Sequence, residues 1–210
     1  MTTKYYDLFG PIDQVSIFKT QEEKKMSDYI YYYENTLSSL SYLFSAIFIL
    51  NNLKKTNNLN IEHALIIINL FFISFISFLW WASQRKYIHQ IDIVLYSNLI
   101  VLIGLYTLLK KNIITQLVFI NLFTIFLGII IFLVKTNNHN LIKQINIGSG
   151  LFSGYSLIMY TNYYKILFIF IISIMFKLND TYNFNNYDLF ISGTAWFHIL
   201  SALGYSMLLS

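Results

Sequence analysis

Seven apolar stretches, each close to the length of a membrane-spanning helix, occupy most of this 210-residue chain. An apolar helix needs about 20 residues to cross the hydrocarbon core of a bilayer. The sequence therefore predicts an all-α fold, a polytopic membrane protein built as a bundle of seven transmembrane helices. The predicted spans cover residues 36–53, 63–83, 91–109, 113–134, 141–161, 164–178 and 187–209. The sixth is the shortest, and a re-entrant segment is an alternative for it.

Composition and charge placement agree with a membrane location. Hydrophobic residues make up 56% of the chain and charged residues only 11%, whereas a soluble domain usually carries about 25% charged residues. The basic residues form short pairs beside the apolar stretches, for example at residues 54–55, 85–86 and 110–111. This placement is typical of anchors at the membrane boundary rather than of a nucleic-acid surface. We expect a multi-pass integral membrane protein and no nucleic-acid partner.

Two regions follow from the same pattern. Residues 1–35 contain ten charged side chains and are predicted to form an N-terminal extramembrane segment. Residues 36–210 form the predicted seven-helix domain, because the connections between its apolar stretches are too short for a second domain. Within the fifth span, Gly150 and Gly154 lie beside Ser149 and Ser153, a small-residue face that predicts close packing against a neighbouring helix.

Several ionisable residues fall inside the predicted spans. The two that stand out among them are Asp92, near the start of the third span, and His198, near the middle of the seventh. Ionisable groups in a membrane are costly and are functional candidates by default. His89 precedes Asp92 at i,i+3 spacing on the same helix face. At about 1.5 Å per residue, Ser77, Asp92, Thr194 and His198 can share one layer within roughly 15 Å of one membrane surface.

Simpler roles are open for several of these residues. Asp92 can cap the third helix, His89 can be an exposed interfacial residue, and His198 can bond only to a neighbouring helix. His63 and His139 are predicted to be solvated at loop edges. Trp80 and Trp81 fit the aromatic belt of the membrane interface better than a ligand cage.

Several short motifs resemble the alkaline ceramidases, which are seven-helix zinc hydrolases. Residues 195–204 read AWFHILSALG and resemble the last helix of that family, which reads approximately HAWWHILTGLG. Asp92, with the Leu95-Tyr96-Ser97 segment after it, resembles the family's third-helix aspartate segment, and Ser77 stands fifteen residues before Asp92, as the family serine does. Residues 34–38, ENTLS, resemble its WNTVS segment.

The resemblance implies a zinc-activated water that attacks the amide of a ceramide, with the serine and aspartate assisting. His198 matches the last zinc ligand, but Thr194 and Trp81 stand where the other two histidines belong. Zinc then needs a set of two histidines and one carboxylate, which His89, His198 and Asp92 can offer. Calcium is not expected, because the family's acidic N-terminal segment is unmatched.

Two functions remain in competition. The first is a ceramidase-like hydrolase of lipid amide or ester bonds, with His198 and His89 as metal ligands, Asp92 as ligand or general base, and Ser77 stabilising the oxyanion. The second is a non-catalytic, lipid-binding or receptor-like bundle. In both, the partner is a membrane lipid, with ceramide or another sphingolipid as the candidate. A retinal protein is excluded, because residues 187–209 contain no lysine for the Schiff base.

Overall fold

A computed structural model describes residues 32–136, 139–160, 164–182 and 192–209. Over these residues the protein is a helical bundle without a β-sheet. Its helices are α1 (Tyr33–Ser38), α2 (Ser41–Lys55), α3 (Ile61–Ser83), α4 (Lys86–Lys110), α5 (Gln116–Thr136), α6 (His139–Tyr160), α7 (Tyr164–Tyr182) and α8 (Gly193–Leu209).

The first two helices form one rod, so each predicted apolar stretch corresponds to one rod of the bundle. α1 and α2 together span Tyr33–Lys55, with only a turn at Ser39 and Leu40 between them. α7 runs unbroken for 19 residues and is longer than the predicted sixth span. The start predicted for the last span, at residues 187–191, lies outside the described residues.

Three of the described helices are long and apolar enough to cross a membrane. They are Tyr33–Lys55, Ile61–Ser83 and Lys86–Lys110. Within α5, Gln116–Phe132 is a shorter apolar stretch. The length and apolar character of these helices support membrane association and the all-helical prediction.

The packing order closes the bundle. α2 lies between α3 and α8, α3 packs against α4, α4 against α6, and α7 against α8. α1 contacts both α3 and α8, whereas α5 packs mainly against α4. The buried apolar core is shared by α2, α3, α4 and α8, with Tyr42, Ile66, Leu102 and Tyr205 among its members. α8 is therefore held beside α1 and α2, so residues from both ends of the chain can contribute to one site.

Large apolar side chains lie on the outside and many polar side chains lie on the inside. Phe75 is 62% exposed and Leu151 is 71% exposed. Asn69, Ser97 and Asn98 are buried between helices. This distribution is the reverse of the pattern expected in water, where burial of a polar group is costly unless a partner compensates it.

The start of the bundle differs from the predicted boundary at residue 35. α1 begins at Tyr33, and Asn35 is buried. The backbone N–H of Ser192 donates to the Glu34 carboxylate at 2.7 Å, and the Ser192 hydroxyl donates to the Asn35 side-chain carbonyl. Residues 34 and 35 therefore belong to the bundle, because they hold the beginning of α8.

The predicted glycine packing face on α6 is wrong. A Cβ added at Gly150 or Gly154 would meet no atom within 4 Å, whereas Ser149 and Ser153 are buried. The close approach lies instead on α4, where a Cβ at Gly104 would overlap the Phe152 ring. The four small residues share a short segment, but only the serines turn towards the neighbouring helix.

Candidate functional site

A cavity of about 90 Å³ lies among α2, α3, α4, α6, α7 and α8, towards one end of the bundle. Ser77, His89, Asp92 and His198, the four residues singled out from the sequence, all line it. The other lining residues are Tyr42, Trp80, Trp81, Ile93, Tyr96, Asn146, Lys177 and Phe197. The structure therefore brings the four candidates together, while their chemical roles stay predictions.

The sharp connection between α3 and α4 determines which residues face each other across this cavity. Gln84 adopts a left-handed conformation with φ 51° and ends α3, and Arg85 is extended before α4 begins. Two residues thus reverse the chain, so the last two turns of α3 pack against the first two turns of α4. Ser77 comes within interaction range of Asp92 in this way.

Asp92 does not cap a helix. α4 begins at Lys86, which places Asp92 well beyond the first turn, where the free backbone N–H groups lie. One carboxylate oxygen, Oδ1, is buried and has no hydrogen-bond partner in the described part of the chain. A buried polar atom without a partner is costly, so Asp92 has capacity for a donor in the cavity.

His198 is held from the side opposite the cavity by the turn between α1 and α2. Its Nδ1 lies 2.9 Å from the Ser38 hydroxyl and 3.5 Å from the Ser39 hydroxyl. The Ser41 hydroxyl donates to the His198 backbone carbonyl at 3.0 Å. Because Nδ1 is engaged by the turn, Nε2 is the ring nitrogen left for groups in the cavity.

A chain of hydroxyl groups joins this turn to α3. The Ser39 hydroxyl donates to the Ser77 hydroxyl at 3.2 Å, and the Ser74 hydroxyl donates to the Ser39 backbone carbonyl at 3.0 Å. Ser77 is thus connected to the same turn that orients His198. This connection rests on residues far apart in the sequence.

A tyrosine layer lies at the same cavity. The Tyr42 hydroxyl is 2.8 Å from the Ser201 hydroxyl and donates to the Tyr96 hydroxyl at 3.4 Å. The Tyr42 ring meets the His198 ring nearly edge-on, with centroids 5.6 Å apart. His198, Ser201 and Tyr205 recur along one face of α8, and all three are buried.

The two tryptophans are not interfacial residues. Trp80 is 1% exposed and Trp81 is 4% exposed. Trp80 stacks on the His89 ring with centroids 4.0 Å apart, so His89 is held flat against an indole. Trp81 packs edge-on against Tyr32 and His198. The prediction of an aromatic belt fails here, because the α3–α4 hairpin turns both indoles inward.

Sequence reasoning did not single out Lys177, which lies at the end of the predicted sixth span. Lys177 lines the cavity, and its Nζ lies 4.5 Å from the centroid of the Phe197 ring and 5.9 Å from that of Tyr96. Asp92 and His198 line the same cavity. The sequence could have indicated Lys177 through its depth in the bundle. Lys177 lies five residues before the end of α7, and His198 lies five residues after the start of α8, so the two residues lie at similar depths.

The residues present do not fit the three-ligand zinc site that the resemblance implies. Within the described ranges, no three His, Asp or Glu side chains are grouped so that they could hold one metal ion. Thr194 is fully buried at one expected ligand position, and Trp81 occupies the other. His89, Asp92 and His198 share the cavity, but the cavity also holds a lysine. A cationic neighbour opposes the binding of a divalent cation.

No protein-family model matches the chain, and no curated protein is significantly similar to it in sequence. The fold and the site thus define a class by themselves: an all-helical bundle with membrane-length helices around a small polar cavity.

Proposed function

We propose that this chain is a multi-pass integral membrane protein with seven spans, a divergent relative of the alkaline ceramidases, whose cavity binds the polar head of a membrane lipid. The exposed apolar side chains suit contact with lipid tails. The buried polar groups suit a bundle interior, because a bilayer core offers them no water. The order of the seven rods matches that of the seven apolar stretches.

The cavity at Asp92 carries the proposal of lipid binding. It contains a buried carboxylate oxygen without a partner, together with hydroxyl, imidazole and ammonium groups. The cavity volume is about 90 Å³. Its mixture of donors and acceptors suits a small head such as an amide with a neighbouring hydroxyl, as in ceramide or another sphingolipid.

Thermal stability with added lipid tests this proposal. The detergent-purified protein is heated with short-chain ceramide, short-chain diacylglycerol or short-chain phosphatidylcholine. We expect ceramide to raise the unfolding temperature of the wild type and of Glu62→Gln, and not that of Asp92→Asn. Glu62 is the matched control, since it is a buried carboxylate that does not line the cavity. An equal response of Asp92→Asn, or no response of the wild type to ceramide, contradicts the proposal.

Hydrolysis of a lipid amide or ester is the second candidate, and the setting of His198 favours it. The other ring nitrogen of a metal-ligating histidine is usually held by a neighbouring polar group, and Nδ1 of His198 lies 2.9 Å from the Ser38 hydroxyl of the α1–α2 turn. In this reading His198 and His89 are metal ligands, Asp92 is a ligand or general base, and Ser77 assists at the oxyanion.

Activity and metal content separate the two candidates. Hydrolysis of a fluorogenic short-chain ceramide is measured for the wild type and His198→Ala, with and without added zinc. The zinc content of both proteins is measured by mass spectrometry. Turnover and stoichiometric zinc that both disappear in His198→Ala support the hydrolase. A wild type that neither holds zinc nor turns over the substrate leaves lipid binding as the function.

A further inference from the structure

The cavity has one cationic side chain that is placed by aromatic surfaces. Lys177 Nζ lies over the face of Phe197 at 4.5 Å and near that of Tyr96 at 5.9 Å. Cations within about 6 Å of a ring centroid are attracted by the ring's quadrupole. The ammonium group of the half-buried Lys177 thus lies against ring faces that line the cavity.

The opposite charge lies across the same cavity. Asp92 on α4 and Lys177 on α7 line the same cavity, and one buried oxygen of the Asp92 carboxylate has no hydrogen-bond partner in the described part of the chain. An ionised carboxylate in an apolar interior is strongly unfavourable unless a charge or hydrogen bonds compensate it. The other ionisable groups that line the cavity are His89, His198, Tyr42 and Tyr96, so Lys177 is the only ammonium or guanidinium group among the lining residues.

We propose that Lys177 takes the place of the metal ion as the fixed cation of this cavity, paired with Asp92. The pair neutralises the buried carboxylate without a metal. If the resemblance to the ceramidases holds, the pair also accounts for Thr194 and Trp81 at the two other ligand positions, because such a cavity does not need three metal ligands.

The pair also defines which chemistry the cavity recognises, an extension that rests on the proposed lipid binding. Lys177 offers donors, and Oδ1 of Asp92 offers an acceptor. A matching head group carries an acceptor oxygen and an O–H or N–H donor on neighbouring atoms. A head group with only acceptor oxygens would place one of them against the Asp92 carboxylate.

A double-mutant cycle tests the charge pair, because it isolates the coupling between two residues. Unfolding temperatures are measured for Asp92→Asn, Lys177→Met and the double variant. Leaving one buried charge alone is strongly destabilising, so we expect Lys177→Met to lose roughly 5 °C or more. The double variant is expected to lie within roughly 2 °C of Asp92→Asn, because the carboxylate that needs Lys177 is then absent.

Lys165→Met is the matched control. It removes the other lysine of α7, which is exposed and does not line the cavity, and its effect should add to that of Asp92→Asn. If Lys177→Met yields no folded protein, the amount of folded double variant relative to the single variant serves as the measure, and recovery of folded protein is expected. Additive effects of Asp92→Asn and Lys177→Met, or no recovery, overturn the inference.

Zinc provides an independent readout. Purified wild type is expected to contain no stoichiometric zinc, and zinc titration is expected not to raise its unfolding temperature. Zinc retained in proportion to protein and lost in His198→Ala overturns the inference. A strong charge coupling without a lipid response rejects the proposed lipid binding alone. A lipid response without charge coupling rejects the role of Lys177 alone.

Discussion

Two buried histidines at opposite ends of the bundle have different surroundings. His63, at the start of α3, uses both ring nitrogens within the protein: Nδ1 accepts from the Asn60 backbone N–H at 3.3 Å, and Nε2 lies 3.1 Å from the Tyr106 hydroxyl. His198 meets the α1–α2 turn through Nδ1, and its ring lines a cavity. A histidine with both nitrogens engaged has a structural role, whereas one with a nitrogen left for a cavity is available to a ligand.

His63 also corrects an expectation from the sequence. It is 2% exposed and not solvated at a loop edge. The chain turns before α3 so that His63 completes a reciprocal hydrogen-bonded cap with Asn60. The hydroxyl on the neighbouring α4 then completes its bonding. His139, the other histidine assigned to a loop edge, begins α6, and its side chain lies outside the described residues.

The largest expected effect comes from removing each ring in turn. His63→Ala removes the hydrogen bonds that the ring makes with the Tyr106 hydroxyl and the Asn60 N–H, and it opens a hole in the packed region. The expected loss of stability is about 2 to 4 kcal/mol, with the ceramide response unchanged.

His198→Ala should abolish the ceramide response and lower the stability by about 1 to 2 kcal/mol, because the space left by the ring joins an existing cavity. Denaturant unfolding in detergent and the lipid stability assay measure both. The reverse pattern would remove the distinction between the two histidines.

Tyr106→Phe sharpens the comparison at the structural end. It removes only the hydroxyl that meets Nε2 of His63, so the expected loss is about 1 kcal/mol, or roughly 2 to 4 °C for a chain of this size. The ceramide response should stay at the wild-type level. A changed lipid response would show that the two ends are coupled through α4.

Ser38→Ala is the smallest change, at the cavity end. It removes the hydroxyl at Nδ1 of His198 and should weaken ceramide binding roughly threefold, with less than about 1 kcal/mol lost in stability. Ser41→Ala is the control from the same turn, since its hydroxyl meets the His198 backbone carbonyl and not the ring. Lipid titration of both variants is the measurement. Equal weakening in the two would mean that the turn, and not the ring contact, matters.

The sequence predicted the positions of the seven helical rods well, because the length of an apolar stretch depends only on consecutive residues. It also selected Ser77, His89, Asp92 and His198, which share one cavity, because helical rise assigns similar depths to residues near the same ends of antiparallel helices. The depth of a residue along a helix does not show in which direction its side chain points around the helix axis. For this reason the sequence assigned Trp80 and Trp81 to the interface and placed the close packing at Gly150 and Gly154.

What the sequence determined by itself is the helical, membrane-type architecture and the layer that holds its few polar groups, since both depend on the spacing along one chain. Only the tertiary structure decided that Lys177 enters that layer and that the α1–α2 turn holds His198. It also showed that His63 is fully engaged at the far end. These contacts join residues that are distant in the sequence, and they depend on how each helix is rotated against its neighbours, which the packing of the whole bundle determines.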